Sequence, residues 1–237
     1  MQPKKLRTLV PAAALALIAP TAVGGPEHNT TEFTDAELIV EINATDGDAG
    51  LQISLDNDPW QSIAIFDPEG RRLLDLRNRG DLADFGLTEL FSESSEPPFT
   101  EMPLDEFKEL WPEGTYRFTG RTIDGIPLSS DVEFVHAFPV QPTITYPEAD
   151  GVVAPNELAI AWEASPQPGG VEVTEYQVTV SNEDSGMTLD VEVAASVTEI
   201  VVPAAFSLPG EYKVEVASID ETGSRTFQEI AFVVADA

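Results

Sequence analysis

"LWPEGTYRFTGRTID" (110–124) and "SLPGEYKVEVASID" (207–220) are two renderings of one phrase. In each, a proline and a glycine precede a tyrosine, apolar residues then alternate, and an Ile-Asp pair closes the stretch. Counted from Tyr116, Phe118 stands at offset two and Ile123-Asp124 at seven and eight; from Tyr212, Val214 and Ile219-Asp220 stand at the same offsets. Period-two alternation marks a strand with one buried face. A tyrosine at the head of such a strand can bury its ring between two sheets and bond its hydroxyl to the corner behind it. The repeat therefore predicts two consecutive Ig-like sandwiches with Tyr116 and Tyr212 in equivalent places.

The second half carries the pattern most cleanly. "TITYP" (143–147), "ELAIAWEAS" (157–165), "TEYQVTVSNE" (174–183), "TLDVEVAAS" (188–196), "TEIVVPAA" (198–205), "EYKVEVASID" (211–220) and "RTFQEIAFVV" (225–234) are all strand-length. Seven short strands with turns and no helical period between them describe a two-sheet sandwich. Residues 141–235 resemble a fibronectin type III domain. Trp162 closes "LAIAW" where that family keeps its core tryptophan, and Tyr176 matches the third-strand aromatic. Leu208, Pro209 and Tyr212 match the corner leading into strand F, in a form a residue or two shorter than usual. The resemblance implies packing positions and carries no active site.

The first half reads as the same architecture in a divergent form. "LIVEINAT" (38–45), "LQISLDND" (51–58), "SIAIFD" (62–67) and "RLLDL" (72–76) are separated by the turn signals "DGDAG", "NDP" and "DPEG". Asp67-Pro68-Glu69-Gly70 makes 62–76 a hairpin. "LDEFKELW" (104–111) is the one good helix, with Leu104, Phe107 and Trp111 on a face and Pro112 to stop it. It follows the proline-rich "SSEPPFTEMP". The expected class is all-β: tandem Ig-like and fibronectin type III-like sandwiches, the first with a short helical insertion at about 80–112. The expected divisions are a signal peptide at 1–24, a flexible N-terminus at 25–36, and sandwiches at 37–138 and 139–237.

Composition narrows the function. Lys4, Lys5 and Arg7 precede an apolar run from Leu9 to Val23 and small residues at Ala22 and Gly24, the layout of a secretory signal. Pro11 and Pro20 interrupt that run, which falls short of the ~20 apolar residues a spanning helix needs. The expected location is secreted or periplasmic, with no membrane insertion after signal removal. With no cysteine, the chain has neither disulfides nor thiolate chemistry, and its stability must come from apolar burial. Its 42 acidic and 12 basic residues give a net charge of −30, and −33 without the three signal cations. Such a surface repels nucleic acid and anionic lipid.

No residue pattern announces catalysis. Only two histidines exist, His28 and His136, and no paired-histidine spacing, Gly-x-Ser-x-Gly or phosphate loop is present. A glycosidase needs two carboxyls facing each other across a cleft, and with so many acids no pair stands out. "ATDGDAG" offers Asp46 and Asp48 to calcium, which wants six to eight oxygens. It is not an EF-hand, since Leu51 and Asn57 stand where glycine and glutamate are needed, and a solvated β-turn explains the same residues. Arg79-Gly80-Asp81 is the integrin tripeptide, with an ordinary turn as the alternative. Trp60 in "DNDPWQS" and Trp111 could face a sugar or simply pack in the core. The reading is an exported, non-catalytic binding or structural module. It would use no cofactor and would recognise a protein or polysaccharide through loops or strand edges. The alternatives are carbohydrate- or calcium-dependent adhesion through Asp46, Asp48 and Trp60, and a carboxylate hydrolase.

Overall fold

In the computed structural model of the chain, residues 30–167 and 171–235 are described. The signal-peptide segment and His28 lie outside them. Strands β1 (Asp35–Asn43), β2 (Asp48–Phe66), β3 (Arg72–Arg77), β4 (Leu87–Glu93), β5 (Gly114–Thr122) and β6 (Pro127–Phe134) form the first half. Two short helices interrupt them, α1 (Asp81–Phe85) and α2 (Leu104–Leu110). The second half holds β7 (Thr143–Tyr146), a two-residue β8 (Val152–Val153), β9 (Ala159–Glu163), β10 (Val173–Asn182), β11 (Met187–Ala194), β12 (Glu199–Val201), β13 (Gly210–Asp220) and β14 (Arg225–Val234).

The second sandwich has a three-stranded sheet, β12-β9-β7, facing a four-stranded one, β11-β10-β13-β14. The first repeats that order, folded out of one fewer strand. Residues 52–56 of β2 lie between β1 and β4, whereas residues 62–66 lie between β3 and β5. β2 is therefore two sandwich strands in series, its N-terminal half in the sheet β1-β2-β4 and its C-terminal half in β3-β2-β5-β6. The switch occurs at Asp56-Asn57-Asp58-Pro59, where the β2–β4 ladder shifts register between Asp56 and Trp60; the β2–β5 ladder shifts just after, between Trp60 and Ser62. Pro59 has no N–H to give a ladder, and the Asn57 carboxamide accepts the Thr34 N–H at 3.2 Å. Strands that change sheets do so through such bends.

Each sandwich has its own apolar core. Leu55, Trp60, Ile63, Ile65, Tyr116, Phe118 and Phe134 fill the first; Ile160, Trp162, Tyr176, Val178, Tyr212, Val214 and Phe232 fill the second. The two repeat tyrosines do the same work. Tyr116 is fully buried and donates its hydroxyl to Pro112 O at 3.0 Å, while Tyr212 donates to Leu208 O at 2.8 Å, four residues back in both cases. Tyr212 also reaches Phe206 O at 2.8 Å. The glycine two residues before each tyrosine has positive φ, 134° at Gly114 and 153° at Gly210. A Cβ there would press against Pro68 or Asp184, so the repeated glycine is a steric requirement of the corner.

Several expectations need correcting. The segment before residue 37 is not free: Phe33 is buried, Thr31 N donates to Pro127 O at 3.0 Å, and β1 starts at Asp35. The span 80–112 is not wholly an insertion, because it contains α1 and a genuine sheet strand, β4; only the stretch holding α2 is extra. Leu208 serves the corner through its carbonyl, since its side chain is 45% exposed. In the shortened corner Phe206 takes the buried place instead, with its ring 6.1 Å from that of Tyr212.

The sandwiches are also joined edge to edge. β14 pairs parallel with β1 through Glu41↔Arg225, Ile42↔Thr226 and Asn43↔Phe227. The Val40 N–H donates to Ser224 Oγ at 3.2 Å and the Ala44 N–H to Phe227 O at 3.0 Å. One continuous sheet, β11-β10-β13-β14-β1-β2-β4, thus crosses from one sandwich into the other. The connecting segment is tied at both ends: the His136 ring nitrogen lies 2.7 Å from Trp111 O, and Ser218 Oγ donates to Val140 O at 2.7 Å.

Candidate functional site

Trp60 is fully buried, wedged where β2 changes sheets, so it offers no platform to a sugar. A large apolar ring at the bend fills the space between the diverging sheets. Trp111 is half-buried against the first core rather than laid open on the surface. Trp162 packs edge-on to Tyr176 at 5.5 Å, and Tyr176 Oη accepts the Ser165 N–H at 2.9 Å. Both aromatics of the family resemblance are structural.

Asp46 lies on the turn after β1 and Asp48 at the first position of β2, beside the seam between the sandwiches. Asn43 Oδ1 accepts the Thr45 and Asp46 N–H groups at 2.9 and 3.1 Å, which closes the turn. Close by, carboxyl oxygens of Glu41, Glu93 and Glu96 lie within 4.8 Å of one another. Glu93 and Glu96 are open to solvent, and Glu93 accepts the Gln52 side-chain amide at 3.0 Å. Burial and then Asp46 and Glu229 push the Asp48 carboxyl up; burial and then Glu93, Asp48 and Glu41 do the same to Glu96. Burial also raises Glu41, against the pull of Arg225.

These shifts have a sign for stability. A carboxyl raised in the folded state binds its proton more tightly there than in the unfolded chain, so it costs stability as pH climbs past its ordinary range. Lowering the pH from 7 toward about 5 should therefore raise the melting temperature. Glu96→Gln should raise it at pH 7 by about 1–2 °C and flatten the slope. Asp67 acts in the opposite sense at lower pH. Although burial pulls it upward, the Arg71 N–H and guanidinium and the Glu69 N–H hold it below the ordinary value. Its contribution is lost as pH falls through the carboxylate range. Melting scans from pH 7 to 3 should show a maximum; a monotonic fall on acidification would contradict the cluster's role.

The other distinctive surface has the opposite charge. Of the nine Lys and Arg residues beyond residue 24, six are Arg71, Arg72, Arg77, Arg79, Arg117 and Arg121. All six lie on β3, β5 or the residues flanking β3. On β5 the buried positions Tyr116 and Phe118 alternate with exposed Arg117 and Arg121, so those two arginines face outward. The register sets Arg77 beside Ser62 and Ser62 beside Arg121. Some of this charge is answered locally: Arg71 meets Asp67 at 2.6 Å, Arg72 and Arg77 share Asp75, and Arg117 meets Asp131 at 3.2 Å. Arg121 instead donates to Gly125 O at 2.6 Å, and Arg79 has no hydrogen bond or ion pair among the described residues.

Between them lies a concavity of ≈ 470 Å³ lined by Gln61, Ser62, Arg77, Asn78, Arg79 and Arg121. Arg79 and Gly80 of the Arg79-Gly80-Asp81 tripeptide are part of this wall. The tripeptide is no loop tip: Gly80 turns the chain with φ 57°, and Asp81 already opens α1. The sequence displays the tripeptide, but it gives its neighbours Arg77 and Arg121 no motif of their own. Their only signal was the crowding of arginines around β3 and β5 in an otherwise acidic chain.

No family model matches the chain, and no curated protein matches it. Solved structures do. A tetra-tandem repeat from the extending region of a large adhesion protein aligns at 13% identity and TM-score 0.32, over 85% of this chain and 50% of that one. A two-domain fibronectin type III segment of chicken tenascin aligns at 14% identity and TM-score 0.28, over 85% and 98%. The FN1–FN3 domains of chicken CNTN1 align at 10% identity and TM-score 0.31, over 87% and 65%. The chain thus spans half of the adhesion repeat and about two thirds of the CNTN1 segment. TM-scores this low leave the fold to the chain's own geometry. Three strands facing four, twice, each with a tyrosine bonded four residues back, make it a tandem of fibronectin type III-like β-sandwiches.

Proposed function

We propose that this chain is an exported, non-catalytic binding module, a rigid pair of sandwiches that presents the outer face of β3, β2 and β5 to a partner. One observation carries the reading. In a chain where acids outnumber bases 42 to 12, Arg79 and Arg121 line one concavity and neither meets a carboxylate among the described residues. Acids are available almost anywhere on such a surface, so two guanidinium groups without one are free to take an anion from another molecule. The signal layout of residues 1–24 supports export, and among the described residues no helix is long and apolar enough to cross a membrane.

The test is photo-crosslinking in the producing cell. Photoreactive residues placed one at a time at 61, 62, 83 and 119, which spare the arginines, and at 179, 190 and 192 on β10 and β11, should give discrete adducts at the first group only. Adducts spread evenly over both groups, or absent from both, would contradict it.

A further inference from the structure

Resting on the reading of this face as the recognition surface, we propose that the pocket between β2, β3 and β5 takes the carboxylate side chains of an acidic, partly apolar stretch of a partner polypeptide. The chemistry of the walls selects the charge. Arg77 spends one nitrogen on Asp75 at 3.3 Å, Arg121 one on a carbonyl, and Arg79 none. Planar guanidinium forks with open N–H groups match a carboxylate bidentately. Gln61 and Ser62 add neutral polar groups on the floor.

The surroundings select a polypeptide. Directly after Arg79-Gly80, helix α1 presents Leu82 and Phe85 at 49% and 79% exposure. Ile123, beyond Arg121 on the same chain stretch, is 37% exposed, and a Cβ on Gly86 would touch it at 2.9 Å, so the end of α1 and the β5–β6 turn adjoin. Arginine beside exposed aromatic and aliphatic groups is the composition of a protein-binding hot spot. A neutral sugar polymer would leave the guanidinium groups without a carboxylate to match, and of the three broadest rings Trp60 and Trp162 are buried and Trp111 half-buried. A second copy of the chain would bring a broad acidic surface within screening distance of this one, whereas a single extended peptide meets only the pocket and its rim. Asp81 and Asp84 on α1 stand next to the pocket but pair with neither Arg79 nor Arg121, and acids farther than ~8 Å are largely screened at physiological salt.

The experiment uses the full chain and a fluorescein-labelled peptide of alternating glutamate and leucine, followed by anisotropy at low salt. Saturable binding is expected, weakened as salt rises. Arg79→Glu with Arg121→Glu should weaken it at least about tenfold, while Lys108→Glu, away from the pocket, should leave it within about twofold. Leu82→Ser with Phe85→Ser should weaken it several-fold, and these exposed changes should leave the melting curve in place. Equal binding by the double arginine variant, or an equal loss in Lys108→Glu, overturns the proposal. So does binding of polyuronate or heparin chains but not of the peptide. If the peptide fails while crosslinks still cluster on this face, the acidic-polypeptide partner is wrong and the binding module stands.

Discussion

Replacing Tyr212 with alanine should cost about 3–5 kcal/mol, enough to leave the second sandwich unfolded or nearly so. The ring is buried, stacks on Phe232 at 5.4 Å and meets Phe206 edge-on at 6.1 Å, so truncation opens a cavity between the sheets. Tyr212→Phe separates the packing from the hydroxyl. It keeps the ring but removes both hydroxyl bonds, leaving the Leu208 carbonyl unpaired while Phe206 O keeps the Leu208 N–H at 2.8 Å, at about 1–3 kcal/mol. Tyr116→Phe should behave likewise but cost less, about 1–2 kcal/mol, because only the bond to Pro112 O is lost. Burial, and then the charge of Asp67, push the Tyr116 phenol up to about 12, so it stays a donor through the neutral range. Urea titrations of the four proteins check the order; a neutral Tyr116→Phe would mean that the two corners are not equivalent.

Cutting the seam is the second large effect. Ser224→Ala removes the acceptor of the buried Val40 N–H, and Ala44→Pro removes the donor to Phe227 O. Neither bond belongs to the β1–β2 ladder, so the first sandwich keeps its own pairing. Together the changes should cost about 2–4 kcal/mol, mostly from buried backbone groups left unpaired. They should also split one calorimetric transition into two, since each sandwich has its own core. A single transition at an unchanged temperature would show that the parallel pairing contributes little.

How much of this was legible in the sequence follows from what each feature depends on. The tyrosine corners were readable because they are local: glycine, tyrosine and the acceptor carbonyl lie within a few residues. The α2 helix and the 62–76 hairpin were equally local, with Gly70 N donating to Asp67 O at 2.9 Å in the turn. β4 escaped because "LTELFSE" is exposed along nearly its whole length, so it lacks the alternation a half-buried strand shows. The double role of β2 escaped because "DNDP" resembles a turn between two strands, and only the pairing partners reveal a bend within one. The seam depends on β1 and β14, some 185 residues apart in sequence, and nothing local records it. Of the candidate site, Arg79 and Gly80 were noticed for a familiar tripeptide, whereas the pocket depends on registers that bring Arg77, Ser62 and Arg121 side by side.

The absence of cysteine makes the central claim directly measurable. Spin labels on Glu69→Cys in the first sandwich and Glu221→Cys in the second can be attached without background, and double electron–electron resonance reports their separation. If one continuous sheet locks the sandwiches together, the distance distribution should be a single narrow peak that broadens when Ser224→Ala and Ala44→Pro are introduced. A broad distribution in the unmodified chain would mean that the two sandwiches move independently.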